Sequence, residues 1–194
     1  MIADFLRPPR GIGLITADVL RLVGLLSILG AAVWASPTDA GVLAFAFPGL
    51  LAPRFVGVRS WFDILTCVVV LVAAWSNVFD LYSRIAWWDL VVHFVCTGVL
   101  AALAYLALAR LGIVVAARSP GYTRATGIIL TTAIGLAVSA LWEMVEWVGY
   151  TYISDKIFVT YDDTIGDMAV GGFGALVAGL LLSVVPFDRE RAGT

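Results

Sequence analysis

Long apolar runs constrain this chain more than any other feature. A run of about 20 apolar residues crosses the hydrocarbon core of a bilayer at the helical rise of about 1.5 Å per residue. Hydrophobic residues make up 61% of the 194 residues and charged residues only 13%, which excludes an ordinary soluble domain. The sequence predicts an all-α, polytopic membrane helix bundle. The predicted spans are about 17–35, 39–52, 61–79, 88–109, 126–150 and 164–186.

The second run, 39–52, is short and contains Pro48, a pattern also typical of a re-entrant segment. If it crosses and the N-terminus is cytoplasmic, only Arg84 and Lys156 of the 12 lysines and arginines lie outside. If it does not cross, the lysines and arginines divide almost evenly between the two sides of the membrane. Because cytoplasmic loops carry the excess of Lys and Arg, we expect six transmembrane helices, the second one short, with both termini inside. No polar stretch is long enough for a soluble domain, so 1–194 is predicted to be a single integral-membrane domain.

Acidic residues collect at the predicted outer ends of the last three spans. Asp and Glu contribute little to membrane orientation, so this excess indicates another role. Counted inward from the interfacial aromatic residues at about 1.5 Å per residue, four ionisable groups lie roughly 6 to 10 Å below the outer surface. These four are His93, Glu143, Glu146 and Asp167, while Asp89 and Asp163 lie nearer the surface.

The spacing of these residues places two potential ligands on one face of each helix, because residues three or four apart are neighbours on a helix. Facing helices of soluble bundles assemble carboxylate metal sites in this way. The donor set suits Zn, Mn, Fe or Mg, and Glu143 and Glu146 are also the candidate catalytic residues. The predicted metal ligands are Asp89, His93, Glu143, Glu146, Asp163 and Asp167.

Other interpretations of the same residues stay open at this point. His93 is compatible with a buried core histidine, and Asp163 with a helix N-cap. Glu143 and Glu146 are compatible with ion pairs to Arg84 or Lys156. Those two cations are too few for the acids on that side, so the excess negative charge needs a bound cation or protonation.

Small residues recur at four-residue spacing in span six, as in Gly171/Ala175 and Ala175/Gly179. Such faces let helix backbones approach closely. Span five has a weaker version of the pattern, so we expect spans five and six to pack together. A homo-oligomer through small-residue faces is a further expectation.

The phrases WWDLVVHF, LWEMVEWVGY and YDDTIGDMAVGGFGAL contain the patterns D-x3-H, W-E-x2-E-W and D-T-x2-D. In these patterns the chain resembles the YjdF-like family of small bacterial inner-membrane proteins, a family of unknown function. The resemblance covers about residues 60–186, whereas spans one and two match nothing. It supports the choice of site residues and implies no reaction.

Three classes of function fit these observations. The first is a membrane-embedded enzyme, a metal-dependent hydrolase or transferase acting on a lipid-linked or cell-envelope substrate. The second is a structural or assembly protein whose helices are locked by a metal or an ion-pair cluster. The third is a transporter of protons or divalent cations, which is less favoured because few ionisable residues continue toward the inner side. The expected partners are membrane lipids and no nucleic acid, and the expected location is the bacterial plasma membrane.

Overall fold

The computed structural model describes residues 1–154, 157 and 159–189, and most of these residues are helical. Six of its helices are long and apolar enough to cross a membrane, whereas α1 and α5 are single turns. No strand occurs within those described ranges. The all-α prediction with six spans is confirmed. The helices are α1 Ile2–Phe5, α2 Ile12–Trp34, α3 Pro37–Val56, α4 Ser60–Val78, α5 Leu81–Arg84, α6 Trp88–Arg110, α7 Arg124–Tyr152 and α8 Tyr161–Leu182.

Helix α3 is longer than the sequence predicts. It has 20 residues, enough for a full crossing, instead of the range 39–52. Ser36 caps its N-terminus in a capping box with Asp39, and Pro37 occupies the first turn, where its missing N–H is not needed. The capping residues therefore extend this span beyond its apolar centre.

Two other helix ends also differ from the predicted bounds. Helix α2 begins at Ile12 rather than near residue 17, directly after Gly11, whose φ of 85° cannot continue a right-handed helix. Helix α8 ends at Leu182 rather than near residue 186. Pro186 follows within a turn and cannot continue the helical hydrogen bonds.

Segments predicted to share one side of the membrane do meet at one end of the bundle. Arg54 Nε donates to the carbonyl of Phe5 at 3.1 Å, and Arg118 Nη2 donates to Asp188 Oδ1 at 3.1 Å. Val58 and Asp188 form an isolated antiparallel bridge. We call this the inner end and the opposite one the outer end; their orientation relative to the cytoplasm stays a prediction.

The spanning helices form two groups of three. Helices α6, α7 and α8 pack against one another, α2, α3 and α4 do the same, and α4 contacts α6 between them. A Cβ on Gly98 of α6 would lie 2.8 Å from the carbonyl oxygen of Gly174 of α8, and one on Gly174 would overlap the backbone of Phe94. The backbones of α6 and α8 are thus in direct contact. The predicted packing of spans five and six is confirmed in α7 and α8, and the small-residue face of α8 is buried within the chain.

Candidate metal centre

The candidate site lies at the outer end of α6, α7 and α8. Asp89 is in the first turn of α6 and His93 follows one turn later. Glu143 and Glu146 lie in the last third of α7, which runs antiparallel to α6 and so ends where α6 begins. Asp167 lies in the second turn of α8, which begins at the same end. Three helices therefore each deliver acidic or imidazole groups to one level of the bundle.

His93 lies at the centre of this cluster and is only 6% exposed. Its Nε2 atom lies 3.4 Å from Asp89 Oδ1 and 3.9 Å from Asp167 Oδ2. Its Nδ1 atom lies 3.9 Å from Glu143 Oε1. The imidazole ring therefore separates Asp89 and Asp167 on one side from Glu143 on the other.

Two carboxylate oxygens in the cluster lack the hydrogen-bond partners that buried acceptors normally have. Glu143 Oε1 and Asp167 Oδ2 are buried and accept no hydrogen bond from any residue that the structure describes. An unsatisfied buried polar group costs about 1–3 kcal/mol, and more when it is charged. These are the two oxygens that lie 3.9 Å from the nitrogens of His93. Both unsatisfied oxygens therefore face the interior of the same cluster.

Two sets of potential ligand atoms fit the geometry of one cation each. Asp89, His93 and Asp167 form one set, and His93, Glu143 and Glu146 form the other, with the atoms of each set within 4.8 Å of one another. Two ligands bound tetrahedrally at about 2.1 Å lie about 3.4 Å apart, which matches the 3.4 Å from His93 Nε2 to Asp89 Oδ1, whereas Asp167 Oδ2 at 3.9 Å would have to move inward. A neutral imidazole has one lone pair, so His93 would be a ligand in one set and an N–H donor to the other.

Asp163 and Glu146 lie at the edge of the cluster. Asp163 belongs to neither set; its N–H donates to Thr160 Oγ1 at 3.3 Å, so Thr160 is the N-cap of α8 and Asp163 lies in its first turn. Glu146 is partly exposed and belongs to the second set. These two carboxylates border the side of the cluster that opens toward the membrane surface.

The proposed cationic partners of the glutamates lie elsewhere or outside the described residues. Arg84 lies 4.0 Å from Asp80, and both side chains are largely exposed. Lys156 falls outside the described residues. Within the part of the chain that is described, the imidazole of His93 is the nitrogen-bearing side-chain group that lies within 4 Å of Glu143.

A layer of hydroxyl groups one turn deeper was missed by sequence reasoning. A Cβ on Gly171 would lie 2.9 Å from Thr97 Oγ1 and 3.0 Å from Ser139 Oγ, so both hydroxyls border this glycine. Ser139 Oγ is buried and has no partner among the described residues. The sequence feature that could have revealed this layer is spacing, since Thr97 follows His93 by four residues and Ser139 precedes Glu143 by four. The polar interior of the three helices therefore extends one turn below the carboxylates.

The fold and this cluster define a multi-pass membrane protein with an acidic centre enclosed by three helices. The chain belongs to the family described as Predicted membrane protein (DUF2238), which matches residues 14–187. The match includes nearly all of α2 and the whole of α3, for which the sequence phrases offered no resemblance. No curated protein and no solved structure matches the chain. A membrane family of unknown function is thus confirmed, while the YjdF-like name stays a prediction.

Proposed function

We propose that the outer-end cluster binds a divalent cation and that the protein is a membrane-embedded metal enzyme. In this proposal Asp89, His93 Nε2 and Asp167 are the ligands, and His93 donates its Nδ1–H to Glu143. A carboxylate that accepts the second N–H of a ligating histidine fixes the ring and its tautomer. Asp163, the sixth of the ligands predicted from the sequence, lies at the edge of the site and is not a ligand in this proposal.

The observation that carries the proposal is the pair of unsatisfied oxygens on Glu143 and Asp167. Both are buried, both face His93, and neither has a hydrogen-bond partner among the described residues. One imidazole cannot balance the charge of four surrounding carboxylates. A cation would offset the repulsion among them and supply Asp167 with its missing partner.

The chemistry follows from what the residues around such a cation do. A bound divalent cation supplies Lewis acidity and the means to activate a water molecule. Glu146 and Glu143 are the candidate general bases, because their carboxylates border the second set of atoms beside His93. Below the cluster, the close contact of Gly98 with Gly174 narrows the space between α6 and α8.

The substrate class follows from the position of the site. Asp89 is 30% exposed through its side chain, so the cluster opens toward the outer surface rather than toward the bundle centre. Exposed aromatic residues such as Trp87 and Tyr161 lie at the start of α6 and α8 at this end and are typical of the membrane interface. A lipid-linked or cell-envelope substrate in the outer leaflet would reach the site directly. We further propose that the membrane is the bacterial plasma membrane, in keeping with the YjdF-like resemblance.

Elemental analysis of the detergent-purified protein tests the metal. The wild type should retain close to one divalent cation per chain, and His93→Ala combined with Asp167→Asn should retain none. Asp162→Asn is the matched control, since Asp162 is exposed in the first turn of the same helix and belongs to neither set. Metal-free wild type that also fails to take up Zn²⁺, Mn²⁺, Fe²⁺ or Mg²⁺ would reject the proposal.

A structural metal is the second candidate function. It is favoured by the fact that the ligand sets draw on all three helices of one group, α6, α7 and α8. A purely structural cation would be lost only on unfolding and would leave no exchangeable coordination position. Displacement of a bound water by azide or a phosphonate probe, followed spectroscopically on the Co²⁺-substituted protein, distinguishes the enzyme, which should respond, from the structural site, which should not.

Transport is less well supported. The backbone contact of Gly98 with Gly174 closes the space between α6 and α8 below the cluster, and a permeation route needs polar lining across the membrane. Proteoliposomes loaded with a Mn²⁺-quenched dye should therefore take up no more Mn²⁺ than protein-free vesicles that contain the same dye. Mn²⁺ uptake by the wild type that Asp167→Asn abolishes would contradict the enzyme proposal and favour a transporter.

A further inference from the structure

A wide-open surface cavity lies at the inner end of the bundle, opposite the candidate metal centre. Its volume is about 560 Å³, and it is lined by Arg10, Arg59 and Arg189 together with Ser60 and Trp61. The described residues of the lining include no acid. The cavity therefore concentrates positive charge between the first helix of the bundle and the C-terminal segment.

Two of the arginines are held in place by the pairing of distant segments. Arg59 Nε donates to the carbonyl of Asp188 at 3.1 Å, and Arg189 Nε donates to the carbonyl of Val58 at 2.9 Å. These bonds fix both guanidinium groups at the wall. A guanidinium carries five N–H donors, so the Arg189 bond to Val58 leaves further donors of that side chain for a ligand.

The N-termini of α2 and α4 add backbone donors beside these side chains. Neither helix has a side-chain hydrogen bond at its N-cap, and Gly11, the N-cap of α2, has a φ of 85° that favours glycine. A Cβ on Gly13 would lie 2.8 Å from Ser60 Oγ, so the two helix starts are in contact. Helix N-termini attract anions through their unpaired N–H groups and the helix dipole.

Two acids near the cavity that the structure describes, Asp4 and Asp188, are engaged with other cations. Asp4 accepts from Arg110 Nη2 at 3.0 Å, and Asp188 accepts from Arg118 at 3.1 Å. Burial lowers the pKa of Arg189 from its ordinary value, which indicates that its charge is incompletely solvated. An anion in the cavity would restore part of that lost solvation.

We infer that this cavity binds the phosphate-bearing headgroup of an anionic membrane lipid. Trp61 lies at its rim, is 40% exposed and donates its indole N–H to the carbonyl of Pro186 at 3.3 Å. A half-exposed tryptophan is typical of the headgroup level, and basic pockets between transmembrane helices bind anionic headgroups. The rim thus places the cavity where lipid phosphates lie, which favours a lipid over phosphate from solution.

Lipid titration of the purified full chain tests the inference. Phosphatidylglycerol added to the detergent-solubilised protein should raise Tm and remain bound in native mass spectra, whereas phosphatidylcholine with the same acyl chains should do neither. Arg10→Gln should weaken phosphatidylglycerol binding about fivefold, the loss expected for one surface cation. Arg10 is exposed and has no hydrogen bond or ion pair to the other described residues, so this variant should fold normally.

Arg124→Gln is the matched control, because Arg124 is an exposed arginine at the inner end that does not line the cavity. It should bind phosphatidylglycerol as the wild type does. If Arg10→Gln and Arg124→Gln weaken phosphatidylglycerol binding equally, the lipid is attracted to a basic surface in general, and the inference is overturned. Inorganic phosphate that stabilises the protein as well as phosphatidylglycerol does, with the same dependence on Arg10, would overturn the assignment to lipid.

Discussion

His93 Nδ1 lies 3.9 Å from Glu143 Oε1, a buried carboxylate oxygen without a hydrogen-bond partner among the described residues. On the other side of the ring, Nε2 lies 3.9 Å from Asp167 Oδ2, which is equally unsatisfied. The histidine thus stands between two acids that both need a positive partner. A single cation on the Nε2 side, with the Nδ1–H directed at Glu143, would satisfy both.

Asp167→Asn should change the stability of the protein in opposite directions with and without metal. In chelator, the neutral amide removes a buried charge, so Tm should rise by about 2–4 °C for each 1 kcal/mol gained. In saturating metal, the wild type should gain about 2.7 kcal/mol at about 100 times Kd and the variant almost none. Thermal unfolding of both proteins in detergent, with EDTA or added Zn²⁺ or Mn²⁺, measures the two effects.

The control for that comparison is Asp162→Asn, which changes an exposed carboxylate of the same helix. Its Tm should equal that of the wild type both in EDTA and in added metal. If Asp167→Asn destabilises the protein equally with and without metal, Asp167 has a structural role alone.

The two glutamates of α7 should differ in their effect on metal affinity. Glu143 is 6% exposed and faces His93, so Glu143→Gln should weaken binding about 10–100-fold, as expected for the acceptor of a ligand's second N–H. Glu146→Gln should leave affinity nearly unchanged and reduce turnover once a substrate is found. Competition titration with a fluorescent chelator measures both affinities, and equal losses would contradict the assignment of Glu143.

The contact between α6 and α8 should make Gly174 intolerant of any side chain. A Cβ at Gly174 would overlap the backbone of Phe94, so Gly174→Ala should cost about 1–3 kcal/mol through overpacking. Gly166→Ala on the same helix is the control, because its Cβ would meet nothing within 4 Å and alanine favours the helix by up to about 1 kcal/mol. Thermal unfolding should show a lower Tm for the first variant only.

The sequence predicted the six spanning helices and the helix faces of His93 and Asp167, but it did not predict the local geometry of Asp163 or the basic cavity. Apolar length and charge bias gave six spans, and three- and four-residue spacing placed His93 and Asp167 on inward faces. Spacing could not show that Asp163 would lie in a first turn capped by Thr160, because cap geometry depends on local backbone. The basic cavity was also missed, since Arg10 and Arg189 come together only through tertiary packing.

The buried pair of Arg21 and Asp63 should be the most sensitive ion pair at the inner end. Arg21 donates to Asp63 and, at 2.9 Å, to the carbonyl of Leu50. Arg21→Met leaves a carboxylate that is only 1% exposed without its partner and should cost about 3–5 kcal/mol. Adding Asp63→Leu should restore much of that loss, measured by thermal unfolding.

Arg84→Gln is the contrasting variant, because Arg84 pairs with an exposed carboxylate at 4.0 Å. Its effect should stay below about 1 kcal/mol. A similar loss in Arg21→Met and Arg84→Gln would mean that burial does not determine the strength of these pairs.

Cysteine labelling in cells should establish the orientation. With Cys67 and Cys96 replaced by alanine, Tyr161→Cys should react with a membrane-impermeant maleimide on intact cells. Ala116→Cys, in the connection between α6 and α7, should react only after permeabilisation. Both sites are exposed, so the reverse pattern would put the metal centre on the cytoplasmic side.

Location of the cation tests the central claim most directly. Crystals grown with Mn²⁺ and measured at its absorption edge should show an anomalous peak about 2.0–2.3 Å from His93 Nε2 and from a carboxylate oxygen of Asp167. Data from Asp167→Asn crystals should lack that peak. A peak elsewhere, or no peak with His93 hydrogen-bonded directly to both acids, would contradict the account.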